Sequence, residues 1–262
     1  MRVGLLETDE TFVWQPRLAR RVECRLRLDM PGLRCMSSLE TLAVVSERLK
    51  NFPANFVFMG SGAFHHLALP LIVRQAAKGP LNVLIFDRHL DYFSVSKGFV
   101  SCGSWIREVV KLPGVRRVVV IGIDEKTVSL PASLPPKVLV LTAQAWRSMF
   151  PRAGNNRSYW DAVLSAGNIY LSIDKDVFST VATDWGAGEL PVGEVLTFLR
   201  WCVARRRLVG VDVCGEFVPR GPWPTLEERK LIAHNERINL ALYWFFQTSK
   251  PFVAPGVGRQ RS

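Results

Sequence analysis

Residues Leu81 to Asp91 read LNVLIFDRHLD, and this stretch decides the fold. Its first half is an unbroken run of aliphatic and β-branched residues. Such a run without alternation marks a strand buried on both faces, the habit of a parallel sheet covered by helices. Its second half sets Asp87, His89 and Asp91 at every other position, where the apolar run ends. In extended backbone alternate side chains share a face, so the spacing predicts three metal-capable groups converging at the carboxyl end of a central strand. Ligands of open α/β sheets bind at that end. The plain alternative is a strand entering a polar loop of solvated acids.

Two further stretches favour the first reading. Asn168 to Asp176, NIYLSIDKD, again closes an apolar run with alternating carboxylates, Asp174 and Asp176. MGSGAFHHLALP, from Met59, follows the apolar NFVFM and opens a helical pattern at His65 and His66. Gathering several carboxylates in a protein interior is costly unless a cation holds them. A pair of divalent metal ions would do so.

DxHxD, SxDxD and a Gly-rich turn ending in His resemble the metal motifs of the arginase–agmatinase group, the ureohydrolases. The chain order matches: His65, then Asp87, His89 and Asp91, then Asp174 and Asp176. GVDVCGEFVP resembles the family's Asp-x-x-Glu-x-x-Pro region through Glu216 and Pro219, with one extra residue between Asp212 and Glu216. The resemblance spans about residues 55 to 220. It implies a three-layer α/β/α fold with a mostly parallel central sheet, in one domain over residues 1–262, with 1–35 and 250–262 the least firmly patterned.

The resemblance also implies a site. One ion would take His65, Asp87, Asp91 and Asp174, and the second His89, Asp87, Asp174 and Asp176, so that Asp87 and Asp174 bridge. Oxygen-rich ligation with two imidazoles suits Mn²⁺ better than Zn²⁺. A hydroxide between the ions would attack the guanidinium carbon of a cationic guanidino or amidine substrate. Glu216 would pair with that guanidinium. Departures from the family pattern fall on the substrate side: Phe64 replaces the acid before the first His, and Ser179 and Thr180 follow SxDxD. Tyr92 and Phe93 follow DxHxD, and Ser101-Cys102-Gly103 stands where the family carries a proton-shuttling His. The Cys102 thiol would take that place if a helix N-terminus and metal lowered its pKa; packing is its other reading. The metal set therefore predicts a C–N hydrolase of arginase-like fold more firmly than an arginase. A deacetylase-like amide hydrolase with one zinc is a competing reading, as is a non-catalytic metal-stabilised binding protein.

Bulk properties fit this class. The 262 residues carry 48% hydrophobic content, enough for a substantial core. No apolar run approaches a membrane span. The start, MRVGLLETDE, lacks a signal-peptide layout, which gives a cytoplasmic expectation. Five cysteines show no CxxC pair and read as reduced thiols. Net charge is +11, with clusters at Arg17, Arg20, Arg21, Arg25 and Arg27 and at Arg205 to Arg207. No nucleic-acid motif accompanies them, so they read as a solvated basic face. A small molecule is the expected partner, and a homo-oligomer is left open.

Along the chain, strands are expected at Val3–Glu7 (a sheet edge), 55–59, 81–86, 116–123, 137–141, from 168 and at 208–213. Helices are expected from Ser37 or Ser38 to Lys50, from His65 to Lys78, and over 101–111, 157–165, 192–206 and 225–246. Residues 92–100 read as an irregular loop and the tail GVGRQRS as disordered. This alternation is the signature of a covered parallel sheet. His66 and His234 read as packing or surface residues, and Asp184 and Glu189 as loop acids.

Overall fold

The computed structural model describes residues 1–124, 126, 133–150, 156–164 and 167–249; the expected disorder of the tail lies outside them. Ten strands are described: β1 (Val3–Glu7), β2 (Cys24–Arg27), β3 (Met36–Ser38), β4 (Phe56–Phe58), β5 (Leu81–Phe86), β6 (Phe99–Ser101), β7 (Val115–Ile123), β8 (Val138–Thr142), β9 (Asn168–Asp174) and β10 (Leu208–Cys214). The helices are α1 (Pro16–Ala19), α2 (Leu39–Leu49), α3 (Ala68–Ala76), α4 (Trp105–Lys111), α5 (Ala143–Ser148), α6 (Asn156–Val163), α7 (Val192–Val203) and α8 (Leu226–Thr248). Eight strands form one sheet in the order β2-β1-β4-β10-β9-β5-β7-β8, and every pairing in it is parallel.

The sheet divides the apolar core into two layers, because alternate residues of each strand face opposite ways. Leu84 and Phe86 of β5 and Ile169, Leu171 and Ile173 of β9 pack with Trp146, Trp160, Phe198 and Phe245 from α5 to α8. Val83 and Ile85, with Tyr170, pack on the other side with Leu42, Val45, Leu71 and Val109 from α2, α3 and α4. This is the three-layer α/β/α architecture expected from the sequence. All six β5 residues are buried, as the unbroken apolar run required. Ser38 caps α2 by accepting from the Thr41 amide, and Thr225 and Glu228 form a reciprocal capping box on α8.

The order of strands corrects one expectation. β1 lies inside the sheet, between β2 and β4, and the edge is β2 from the Arg-rich segment. Arg25 and Arg27 alternate outward there, which keeps an edge strand solvated. Residues 92–100 are not wholly irregular, since β6 pairs antiparallel with β3 in a small second sheet. The segment expected to be helical from His65 begins instead as a 3-10 turn over Gly62–Leu67, and α3 follows. Among the described residues no helix is long and apolar enough to cross a membrane.

Candidate metal centre

Strands β4, β5, β9 and β10 are neighbours or near neighbours in mid-sheet, and their carboxyl ends deliver one cluster. The 3-10 turn after β4 carries His65, fully buried. Asp87 follows β5 directly and is 1% exposed. Asp174 ends β9, and Asp176 sits one turn further on, both buried. The extended-strand argument for DxHxD holds only for its first residue. Beyond Asp87 the chain turns, and Asp91 adopts a left-handed φ of 48°, a region aspartate tolerates better than most residues. The turn, not the strand pleat, brings Asp91 to His65.

Distances define two clusters that share Asp87. His65 Nδ1 lies 3.2 Å from Asp87 Oδ2, 3.2 Å from Asp91 Oδ2 and 3.7 Å from Asp174 Oδ2. His89 Nδ1 lies 2.9 Å from Asp176 Oδ2 and 3.5 Å from Asp87 Oδ1. The structure thus brings together all six residues that the motifs single out: His65, Asp87, His89, Asp91, Asp174 and Asp176. His66 points elsewhere, with Nε2 at 2.9 Å from Ser37 Oγ. His234 lies on α8 beside Arg237, and Asp184 accepts from the Val218 amide in its loop.

The orientation of His65 follows from its partners. Ser172 Oγ donates to Asp212 Oδ1 at 2.7 Å, which uses the only hydroxyl proton. The 2.9 Å contact between His65 Nε2 and Ser172 Oγ therefore has the imidazole as donor. That leaves the Nδ1 lone pair aimed at three carboxylates, an arrangement that repels unless a cation stands between them. His65 Nδ1, Asp87 Oδ2 and Asp176 Oδ2 are all buried and make no hydrogen bond. Buried polar atoms left without partners are rare and need an explanation; here a cation supplies one.

The electrostatics of the cluster point the same way. Burial pushes Asp174 and Asp176 above the usual carboxylate range, and neighbouring carboxylates push further. Burial opposes a charge on His89, but Asp176 and Asp87 outweigh it and raise the imidazole to about 11. Burial likewise opposes charge on His65, yet Cys214, Asp87 and Asp91 hold it above its ordinary value.

Above the cluster is a cavity of about 250 Å³ whose floor includes Asp87, His89, Asp91 and Asp174. Its walls include Phe93, Trp185, Cys102 and Gly103. Arg88 holds the Trp185 loop, donating to the Trp185 carbonyl while pairing with Asp124. Gly62 is required here, since a Cβ would press against Asp174 Oδ2 and the Trp185 ring. Cys102 reaches the cavity as expected, but not at a helix N-terminus, because α4 starts at Trp105. Burial, Asp91 and Cys35 push its thiol up to about 12, opposite to the lowered value the sequence suggested.

Glu216 also departs from expectation. It is buried, and Gly215 before it turns the chain at a φ of 86°. A side chain at Gly215 would strike Asp174 and Lys175. The turn sends Glu216 away from the cavity to Lys175, whose ammonium pairs with Oε1. Asn239 Nδ2 donates to Oε1 and Gln15 Nε2 to Oε2, both at 2.6 Å. Both oxygens are taken, so Glu216 has no free edge for a substrate guanidinium.

The match to known proteins agrees with this geometry. Residues 24–219 match the model of the Arginase family. The chain belongs to the arginase family. By family it is a hydrolase of carbon–nitrogen bonds, its substrate open. An uncharacterized protein of Thermotoga maritima is 30% identical over 258 residues, covering 97% of this chain and 93% of that one. In three dimensions it is similar to formimidoylglutamase from Bacillus subtilis, with a TM-score of 0.64 and 14% identity over 94% of this chain and 86% of that one. It is also similar to Trypanosoma cruzi formiminoglutamase with Mn²⁺, with a TM-score of 0.60 and 13% identity over 95% and 93%. At these identities the solved structures speak for the fold. The donor set of this chain, rich in buried carboxylates and orphaned atoms, fits a divalent metal.

The roles of several residues beside the cluster were not read from the sequence, in which Asp212 ends a strand but matches no ligand position. Ser172 and Asp212 form the support of His65, and their signal was present as register: they face each other across β9 and β10. Lys175 and Cys214 gave no motif signal, because SxDxD says nothing of the residue between its two acids and the Asp212 to Glu216 spacing says nothing of what stands between them.

Proposed function

We propose that the protein is a binuclear-metal hydrolase acting on a C–N bond of a small guanidino or amidine compound. The single observation that carries this is the paired cluster around Asp87, in which two imidazole nitrogens face carboxylate oxygens at 2.9 to 3.7 Å and key atoms lack partners. His65, Asp87, Asp91 and Asp174 would hold one divalent ion and His89, Asp87, Asp174 and Asp176 the other, Mn²⁺ being suited to so many oxygens. When bound, the ions supply an activated water at neutral pH for attack on a planar carbon.

The remaining roles belong to the chain. Ser172 and Asp212 keep the His65 Nδ1 lone pair on the metal side, as carboxylate-linked histidines do at metal sites generally. Phe93 and Trp185 bound the cavity with apolar ring surface against which a planar amidine can lie, and such rings favour a cationic head. This recognition replaces the carboxylate pairing expected of Glu216. The aromatic walls also narrow access by bulk water. Substrate charge is thus read by rings and by the acids of the floor, not by a dedicated carboxylate.

The test is a panel of guanidino and amidine compounds offered to the Mn²⁺-loaded protein, with urea and ammonia release measured. Turnover of at least one compound, abolished by a chelator and by Asp87→Ala, is the expected result. A protein holding two ions per chain that turns over none of them would sink the hydrolase reading and favour a metal-stabilised binding role.

A further inference from the structure

Cys214 ends β10 directly opposite Asp174 of β9 in the parallel register. Residues so paired project to the same face of the sheet. The thiol is fully buried, and Sγ lies 3.3 Å from Asp174 Oδ2, the oxygen that faces His65 Nδ1. Cys214, His65 and Asp174 each offer one donor atom within 4.8 Å of one another. His65 Nδ1, beside them, is buried and has no hydrogen-bond partner. Cys214 packs in the apolar layer on this side of the sheet, yet its thiol turns to the polar row of Asp212, Ser172 and Asp174, where it donates to Asp174 Oδ2. The left-handed Gly215 that follows fixes the end of the strand where the sulfur can point at the cluster.

We propose that Cys214 is a metal ligand, so that the His65-side ion is bound by one thiolate, one imidazole and carboxylates, whereas the His89-side ion keeps oxygen and nitrogen donors alone. The proposal rests on the metal-centre reading above. On binding, the S–H bond breaks, its proton leaves to solvent, and the sulfur lone pair forms the bond to the ion. Thiolate is a soft donor and selects zinc-class ions, while carboxylate-rich donor sets suit Mn²⁺. The two positions are therefore unlike: both can hold Mn²⁺, but the thiolate gives the His65-side position the higher affinity for a borderline-soft ion such as Zn²⁺.

Cobalt replacement reads this directly, because thiolate-to-cobalt charge transfer gives a near-ultraviolet band that oxygen and nitrogen ligands do not. The full-length protein loaded with Co²⁺ should show the band and carry two ions per chain. Cys102→Ser, which removes the cavity thiol, should keep it. Cys214→Ser should lose it, and should weaken one of two bound Zn²⁺ ions by at least the roughly ten- to hundredfold that loss of an outer-sphere partner costs. Zinc-edge X-ray absorption of the unaltered protein should show a sulfur neighbour at about 2.3 Å, which needs no variant to fold. Two bound cobalt ions without the band, no sulfur neighbour to zinc, or a band lost in Cys102→Ser and kept in Cys214→Ser would each overturn the thiolate assignment while leaving the metal centre standing. Absence of bound metal altogether would overturn both.

Discussion

Asp174 and Lys175 are adjacent in sequence and belong to two buried charged clusters, Asp174 at the end of β9 and Lys175 at the start of the 3-10 turn that follows it. On the α3 and α4 side, Asp174 joins His65, Asp87 and Asp91, where His65 Nδ1 and Asp87 Oδ2 have no hydrogen-bond partner, while Asp91 Oδ2 accepts from Trp105 Nε1 and Asp174 Oδ2 from Cys214 Sγ. On the α8 side, Lys175 meets Glu216, with Gln15 and Asn239 closing the ring: Asn239 Nδ2 also donates to Gln15 Oε1 at 2.8 Å. The second cluster carries a cation of its own chain in Lys175, and the first is the one proposed to take its cation from outside. A buried carboxylate needs a positive partner in either case. Whether the chain supplies that partner decides which cluster is a site and which is structure.

The largest effect should come from removing a shared ligand of the open cluster. Asp87→Ala or Asp174→Ala should lose both ions and all turnover, whereas Asp176→Ala should lose one ion. Elemental analysis per chain checks this, and a full complement in Asp87→Ala would break the bridging assignment. The comparison also predicts the sign of the stability change. Without metal these carboxylates repel one another in a dry environment, so Asp174→Ala should leave the metal-free protein equally stable or more so in urea.

The closed cluster should behave in the opposite way. Glu216→Gln strands the fully buried Lys175 ammonium, and breaking such a pair costs about 3–5 kcal/mol. Urea unfolding of the metal-free protein measures it. Metal content should not change, and replacing Lys175 by Met in the same chain should restore most of the loss. If Glu216→Gln left stability intact but removed binding of guanidino ligands, Glu216 would return to the substrate side.

Much of this was legible in the sequence, and the legible part shares a cause. The unbroken LNVLIF run and the alternation of strands with helices report burial, and burial is what a sheet covered on both faces imposes. That six residues would gather at one end of the sheet was legible because each follows an apolar run. What stayed hidden depended on geometry that spacing does not encode. Whether Val3–Glu7 is an edge depends on where the Arg-rich β2 docks, and arginines on an edge strand look like any solvated segment. The turn at Gly215 converts one extra residue into a reversal of direction for Glu216. The partner of Lys175 comes from residue 216, far along the chain, and only folding brings the two together.

A smaller effect is expected where the open cluster is supported and not built. Ser172→Ala removes the link between His65 Nε2 and Asp212, freeing the ring to turn and change tautomer. Metal affinity should fall roughly ten- to a hundredfold, with the fold retained. Competition with a metal indicator gives the number, and Ser172→Thr, which keeps the hydroxyl, should recover part of it. Unchanged affinity in Ser172→Ala would mean that packing against Trp105, at 4.7 Å between ring centroids, orients His65 by itself.

The smallest effect should be at Cys102. By register the resemblance assigns its place to a proton-shuttling His, with packing as the other reading of the thiol, and its position on the cavity wall keeps the proton role geometrically open. Its surroundings argue for shape instead. The residue lies in a turn ahead of α4, its amide donating to the Cys35 carbonyl, with Gly103 and the exposed Phe93 beside it. A thiol has one proton and cannot donate and accept at two separate atoms as imidazole does. Cys102→Ala should therefore keep turnover within about tenfold, below the roughly hundredfold or more that a general acid–base group contributes. Alkylation is the sharper probe, because a bulky adduct at this position would fill the cavity. It should inhibit the unaltered protein slowly at neutral pH and faster as pH rises, because the raised thiol leaves little thiolate to react, and should leave Cys102→Ala untouched, and a bound competitive ligand should protect. A loss of a hundredfold or more in Cys102→Ala, with metal content unchanged, would restore the thiol to the proton path and make the cavity wall part of the chemistry.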